Sequence, residues 1–170
     1  MFEWAKMTHP ETLTDIQRAA RFFYLQRLCF GGKVESPTFG TATTAPPKLR
    51  AADLGTELAA AWEYLATATI EHLDWAICVA KYDRPHTLTY MDPPYWGTAG
   101  YGVEFGLEQY QRMAEIMAGL QGKAIVSVND HPEMRKAFKG FRMRTVDIAY
   151  TVGGNANRAA RKELVICSWR

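Results

Sequence analysis

An aspartate followed at once by two prolines and a tyrosine, Asp92-Pro93-Pro94-Tyr95, is the cluster in this chain whose residue types can act together. Two successive prolines fix the backbone and cannot continue a strand ladder, so the run Thr87-Leu88-Thr89-Tyr90-Met91 before them must end there. The Pro93 carbonyl becomes an acceptor of fixed direction, Asp92 a second, charged acceptor, and Tyr95 a flat stacking surface. Such a set suits an exocyclic amine on an aromatic ring. That amine is a poor nucleophile because its lone pair is delocalised into the ring. Two acceptors on its two N–H bonds favour the pyramidal form and stabilise the positive charge that develops as a methyl group arrives. Holding the amine in line with the methyl donor contributes further.

The elements that must position this cluster are set by periodicity. Glu11 to Leu28 reads as a helix capped by Thr8 or Thr12 and ended by Gly31-Gly32. The stretch from Glu35 to Lys48 is a loop by composition, and a loop of that length is usually functional or mobile. Ala51 to Ala66 predicts a second helix, Ile70 to Leu73 a short strand, Trp75 to Lys81 a helix and Thr87 to Met91 the clearest strand. Leu107 to Leu120 places Leu107, Tyr110, Met113, Ile116, Met117 and Leu120 on one side of an amphipathic helix. Ala124 to Val128 predicts a buried strand, Pro132 to Phe138 a short helix, and Phe141 to Tyr150 and Glu163 to Trp169 two closing strands. Alternation of strand and helix from residue 70 to about 141 argues for an α/β sheet with parallel strands, and ligands in such sheets bind at the carboxyl ends of the strands.

The 170 residues are 48% hydrophobic, 12% aromatic and 22% charged, which excludes disordered and fibrous classes. The net charge of +2 permits nucleic acid without demanding it. Cys29, Cys78 and Cys167 form no CxxC pair, so a disulfide framework and a thiolate zinc site are not suggested. His72, His86 and His131 lack metal-ligand spacing, and no metal is expected. No run reaches the ~18 to 20 apolar residues of a membrane helix, and no basic leader precedes an apolar run. The expectation is a protein of the reducing cytoplasm, away from membranes.

Five segments together resemble the D12 class of DNA adenine-N6 methyltransferases, in order from about residue 18 to 169. Phe22-Phe23-Tyr24-Leu25-Gln26-Arg27 with Cys29-Phe30-Gly31-Gly32 resembles that family's aromatic helix and glycine turn. Leu73-Asp74-Trp75 resembles its Asp-aromatic cofactor segment, and Thr89 through Trp96 its catalytic strand and loop. Ser127-Val128-Asn129-Asp130 resembles the segment after the next strand, and Asn157 through Arg161-Lys162-Glu163-Leu164 the closing basic turn and strand. The resemblance implies that Asp92 and the Pro93 carbonyl hold the adenine amine, with Pro94 fixing the loop and Tyr95 stacking on the base. It implies that Asp74 and Trp75, with Asp92, meet S-adenosylmethionine. Double-stranded DNA with a flipped adenine is the implied partner. Lys33, Lys48, Arg50, Trp96, Arg158, Arg161 and Lys162 are the candidates for nucleic-acid contact.

Residues 1–50 are expected to be a helical and loop region resembling the target-recognition segment. Residues 51–170 are expected to be a partial Rossmann-like methyltransferase domain. Full-length members begin with a Phe-x-Gly-x-Gly turn and an acidic residue after the next strand; neither is found here. A sheet missing its first strands would expose an edge. The expectation is therefore a truncated or split form, with a partner chain supplying the first half, or a non-catalytic remnant that binds DNA or protein. Relatives with Asn in place of Asp act on other amines, and Asp92 favours adenine. Asp74 reads equally as the cap of the helix starting at Trp75. Asn129 and Asp130 read as caps of the helix after Pro132, the aromatics Phe22 to Tyr24 as core, and the arginines 158 to 161 as a solvated turn.

Overall fold

The computed structural model describes residues 1–30, 37–40, 48–98, 105–148 and 161–169, the side chain of Arg161 apart. The chain divides into two compact units, Met1–Ile70 and Glu71–Arg170.

The first unit is helical. Helix α1 (Phe2–Met7) is followed by a 3-10 turn (Pro10–Thr12), α2 (Asp15–Leu28) and α3 (Leu54–Leu65). Helix α2 starts later than its periodicity predicts, because Thr14 and Gln17 form a reciprocal capping box: the Thr14 hydroxyl accepts from the Gln17 amide and the Gln17 side chain accepts from the Thr14 amide. It ends at Leu28, where Cys29 is already extended, and Gly31-Gly32 lie outside the described residues. Phe2, Ala5, Leu25 and Cys29 make a small core joined by Tyr24 and Leu28, while Phe22 stays exposed. Arg27 pairs with Glu57, tying α2 to α3.

The second unit carries the sheet. Its elements are α4 (Trp75–Tyr82), β1 (Leu88–Met91), α5 (Leu107–Gly119), β2 (Lys123–Asn129), α6 (Pro132–Ala137), β3 (Arg142–Ile148) and β4 (Arg161–Cys167). Ile70 to Leu73 forms no strand. The strand order is β1-β2-β4-β3. Only β1 and β2 are parallel; β4 runs antiparallel to both β2 and β3, so the sheet is mixed rather than parallel throughout. The Pro132–Ala137 helix is too short to return the chain for a parallel neighbour, and β3 and β4 close as an antiparallel pair instead.

One sheet face is sealed. Ala124, Val126 and Val128 alternate on β2, and Leu164 and Ile166 on β4, all fully buried. Tyr110, Met113, Ala114 and Met117 of α5 pack on them at helical spacing, with Val79 of α4 and Met134 and Phe138 of the α6 region. The opposite face is only partly covered: Leu88 and Tyr90 on β1 are 61% and 63% exposed. The crossover from α5 into β2 depends on Gly122. A β-carbon there would come within 2.5 Å of the Thr87 carbonyl, while the Lys123 amide donates to that same carbonyl and starts the β1–β2 register. Asp83 holds the turn by accepting from the Gln121 and Gly122 amides. No helix among the described residues is long and apolar enough to cross a membrane.

Candidate active site

Asp92 comes directly after the last residue of β1, at the carboxyl end of the strand, and the chain there becomes irregular as the prolines require. The loop from Pro93 to Thr98 is fixed at successive points. The Tyr110 hydroxyl of α5 donates to the Pro94 carbonyl. The Tyr95 hydroxyl donates to Glu163 Oε1 of β4 at 2.6 Å. Asn129, the last residue of β2, clamps Trp96 by both amide ends: its Oδ1 accepts from the Trp96 amide at 2.8 Å and its Nδ2 donates to the Trp96 carbonyl at 3.0 Å. The loop then turns, with the Thr98 amide donating to the Tyr95 carbonyl at 3.1 Å and Gly97 at φ 71°, a left-handed conformation that suits glycine. The three side-chain anchors come from three different elements, Tyr110 from α5, Asn129 from β2 and Glu163 from β4.

Asp92 is exposed and accepts one hydrogen bond, from the Ser127 hydroxyl of β2 to Oδ1 at 3.1 Å. Pro93 is buried, and no described residue donates to its carbonyl. Asp92 Oδ2 and the Pro93 carbonyl thus have no hydrogen-bond partner among the described residues.

Two cavities flank the loop. One, of about 550 Å³, runs from Leu73, Trp75, Val79 and Tyr82 along β1 to Asp92, Pro93 and Pro94. Its walls are largely apolar with a few polar groups, the usual make-up of a small-molecule site. Trp75 is held in place there: its indole N–H donates to Gln109 Oε1 at 3.1 Å and the Arg112 guanidinium lies 5.3 Å from the ring centre. The other cavity, about 250 Å³, is lined by Tyr95, Thr98, Asn129, Asp130, Ile148, Lys162 and Glu163.

Asp74 is a helix cap in this structure. Its Oδ1 accepts from the Ala76 and Ile77 amides at 3.0 and 3.2 Å, while Oδ2 has no partner among the described residues. The cap of α6 is His131, whose Nδ1 accepts from the Glu133 amide, and not Asn129 or Asp130. Asp130 instead takes a two-pronged pair from Arg135 at 2.7 and 2.6 Å, which holds its carboxyl below the usual range and raises Arg135 in turn. Trp96 packs edge-on against Tyr110, ring centres 5.9 Å apart, and is half-buried.

The cations proposed for nucleic acid fall in both units. Lys48 donates to the Cys29 carbonyl and Arg50 pairs with Asp53. Lys33 and Arg158 lie outside the described residues, and Arg161 is placed by its backbone alone. Lys162 is exposed and lines the smaller cavity with Tyr95. No metal-ligating cluster exists among the described residues.

Sequence reasoning left Ser127, Tyr110 and Glu163 without a role. Ser127 carried a signal, as the lone hydroxyl inside the apolar run Ala124 to Val128. Tyr110 did not, since its spacing marks it only as core.

No curated protein matches the chain. A family model described as D12 class N6 adenine-specific DNA methyltransferase matches residues 5–152, most of the length and the whole of the pinned loop. The chain belongs to the D12 class of N6 adenine-specific DNA methyltransferases.

Proposed function

We propose that this chain transfers a methyl group from S-adenosylmethionine to the N6 amine of an adenine turned out of double-stranded DNA. Asp92 and the Pro93 carbonyl take the two N–H bonds of that amine, and Tyr95 stacks on the ring. Pro94, tied to Tyr110, keeps the acceptors in place, so the site needs little reorganisation as charge develops. The single observation carrying the reading is that the loop's other anchors are bonded within the fold, while Asp92 Oδ2 and the Pro93 carbonyl have no partner among the described residues.

The larger cavity fits the cofactor's chemistry: a flat indole and apolar walls for a purine, with the Asp92 carboxylate near its other end. Trp75, Leu73 and the unpaired Oδ2 of Asp74 would hold the adenine end. When bound, S-adenosylmethionine supplies an electrophilic methyl group on a sulfonium. The residues do the rest: Asp92 and the Pro93 carbonyl orient the amine toward that methyl group. Beyond its free edge, β1 offers the place where further strands of a Rossmann-like sheet would pair. Lys162 is suited to a phosphate beside the smaller cavity.

The test is incubation of the purified chain with methyl-labelled cofactor and unmethylated duplex DNA. Label on adenine N6 that disappears with Asp92→Ala is the expected result. Transfer that survives this substitution overturns the assignment of Asp92.

A further inference from the structure

Ser127 is the only buried polar residue among the described side chains, 4% exposed in an otherwise apolar strand. A hydroxyl in that position costs stability unless bonded, and here it is bonded on both sides. The Tyr90 hydroxyl donates to Ser127 Oγ at 2.7 Å, and Ser127 Oγ donates to Asp92 Oδ1 at 3.1 Å. The three side chains meet for a simple reason. Tyr90 lies in β1 and Asp92 follows the strand two residues later, and β2 beside it, with Tyr90 opposite Ile125, brings Ser127 two residues further on to the same side.

We propose that Tyr90 and Ser127 are positioning residues that fix the rotation of the Asp92 carboxylate, a role resting on the function proposed above for Asp92. The last torsion of an aspartate is broad and roughly two-fold, so an exposed carboxylate alone has no preferred orientation. A serine hydroxyl is a free rotor as well. Tyr90, by donating to Ser127 Oγ, occupies one of its lone pairs and turns the serine proton toward Asp92. Asp92 Oδ1 is then taken, and Oδ2, which has no partner among the described residues, is the oxygen presented to the amine. A chain of hydroxyls ending on a carboxylate also strengthens each bond in it. Tyr90 is well exposed, and its hydroxyl bonds to Ser127 while its side chain lines the larger cavity.

The test compares Tyr90→Phe and Ser127→Ala in the full chain, by two readouts. The first needs no substrate: the side-chain carboxyl carbon resonance of Asp92 in protein labelled at aspartate, assigned by its loss in Asp92→Asn. Both variants are expected to move this resonance while leaving the other aspartates in place. A resonance unmoved by either variant overturns the inference. The second is steady-state methyl transfer. Losing one link of the chain is expected to lower kcat about 3- to 10-fold for Tyr90→Phe and about 10- to 30-fold for Ser127→Ala, with KM for DNA unchanged. A full kcat in both variants, with Asp92→Ala inactive, also overturns it. Tyr90→Phe keeps the question decidable if Ser127→Ala, at a buried site, fails to fold. Should the chain transfer no methyl group, the proposed function fails, and the carboxyl resonance still decides the hydroxyl chain.

Discussion

Two parallel neighbouring strands each hand over to an aspartate one residue past their end: β1 to Asp92 and β2 to Asp130. Asp130 is consumed. Both its oxygens pair with Arg135, Thr145 adds a contact, and its amide donates to the Lys162 carbonyl, so it latches α6 and β3 to the strand end. Asp92 has one hydrogen bond, from a hydroxyl, and an oxygen to spare. Both follow the carboxyl end of a strand, β1 at the sheet edge and β2 inside it, and they differ in how much of the carboxylate the fold already uses. An aspartate with four acceptor sites and one partner is available for a substrate, and one closed by a guanidinium is not.

The largest expected effect sharpens this contrast. Asp92→Ala should lower methyl transfer by about 10²- to 10³-fold, the range for removing one preorganised group from a charge-stabilising site, while the unfolding midpoint stays within error. Labelled-cofactor assays beside thermal melts check both halves. A fall in midpoint comparable to that of a core mutant would mean that Asp92 is structural after all. Gly122→Ala tests whether the two strand ends must stay in register. Its β-carbon meets backbone oxygens of Thr87 and Arg84, which cannot swing away as a side chain would, so a loss of about 1–3 kcal/mol is expected in denaturant unfolding. A neutral result would show that the α5–β2 turn has slack.

Much of this was legible in the residues. The proline pair could end a strand in only one way, and the core of α5 was set by Tyr110, Met113 and Met117 at helical spacing. The direction of β4 was not legible: an apolar run such as Leu164 to Cys167 reads alike in either direction, and only pairing with β2 and β3 sets it. Nor was the cap of α6, because a histidine accepting through Nδ1 depends on tautomer and rotamer, which the sequence does not carry. Asp130 read as a cap of α6 for the same reason: its partner Arg135 is near in sequence, but the two-pronged geometry appears only once α6 folds back.

Asp130→Ala is the mirror experiment. It should cost about 1–2 kcal/mol of stability, held to that range because Arg135 is half-exposed, and leave methyl transfer within about threefold. The same substitution should flatten the acid side of the stability curve. Arg135 lowers the Asp130 carboxyl, and the Gln121 and Gly122 amides lower that of Asp83. A carboxyl lowered by folding stabilises fully above its unfolded value, near ~3.9, and loses that contribution as pH falls through the lower folded one. Unfolding midpoints from pH 6 to 2 should therefore drop less steeply in Asp130→Ala than in the native chain, with Asp83 and Glu71, the latter lowered by Lys81 and Tyr82, contributing to the slope that remains. Equal slopes would mean that the Arg135 pair does not form in solution.

The smallest effect concerns the far side of the loop. Tyr95→Phe keeps the ring proposed to stack on the base and removes only the hydroxyl that donates to Glu163. Since Pro94 and Trp96 on either side remain tied to Tyr110 and Asn129, the backbone should not move, and the loss is confined to the tilt of one ring. One net hydrogen bond of about 0.5–1.5 kcal/mol corresponds to a rise in KM for DNA of about 2- to 10-fold at nearly constant kcat. Glu163→Gln, which retains an acceptor at Oε1, should do less. A Tyr95→Phe variant with native KM would show that the ring is held by its neighbours alone. An equal fall in kcat would instead place the hydroxyl among the groups that act in the transition state, on the same side of the comparison as Asp92.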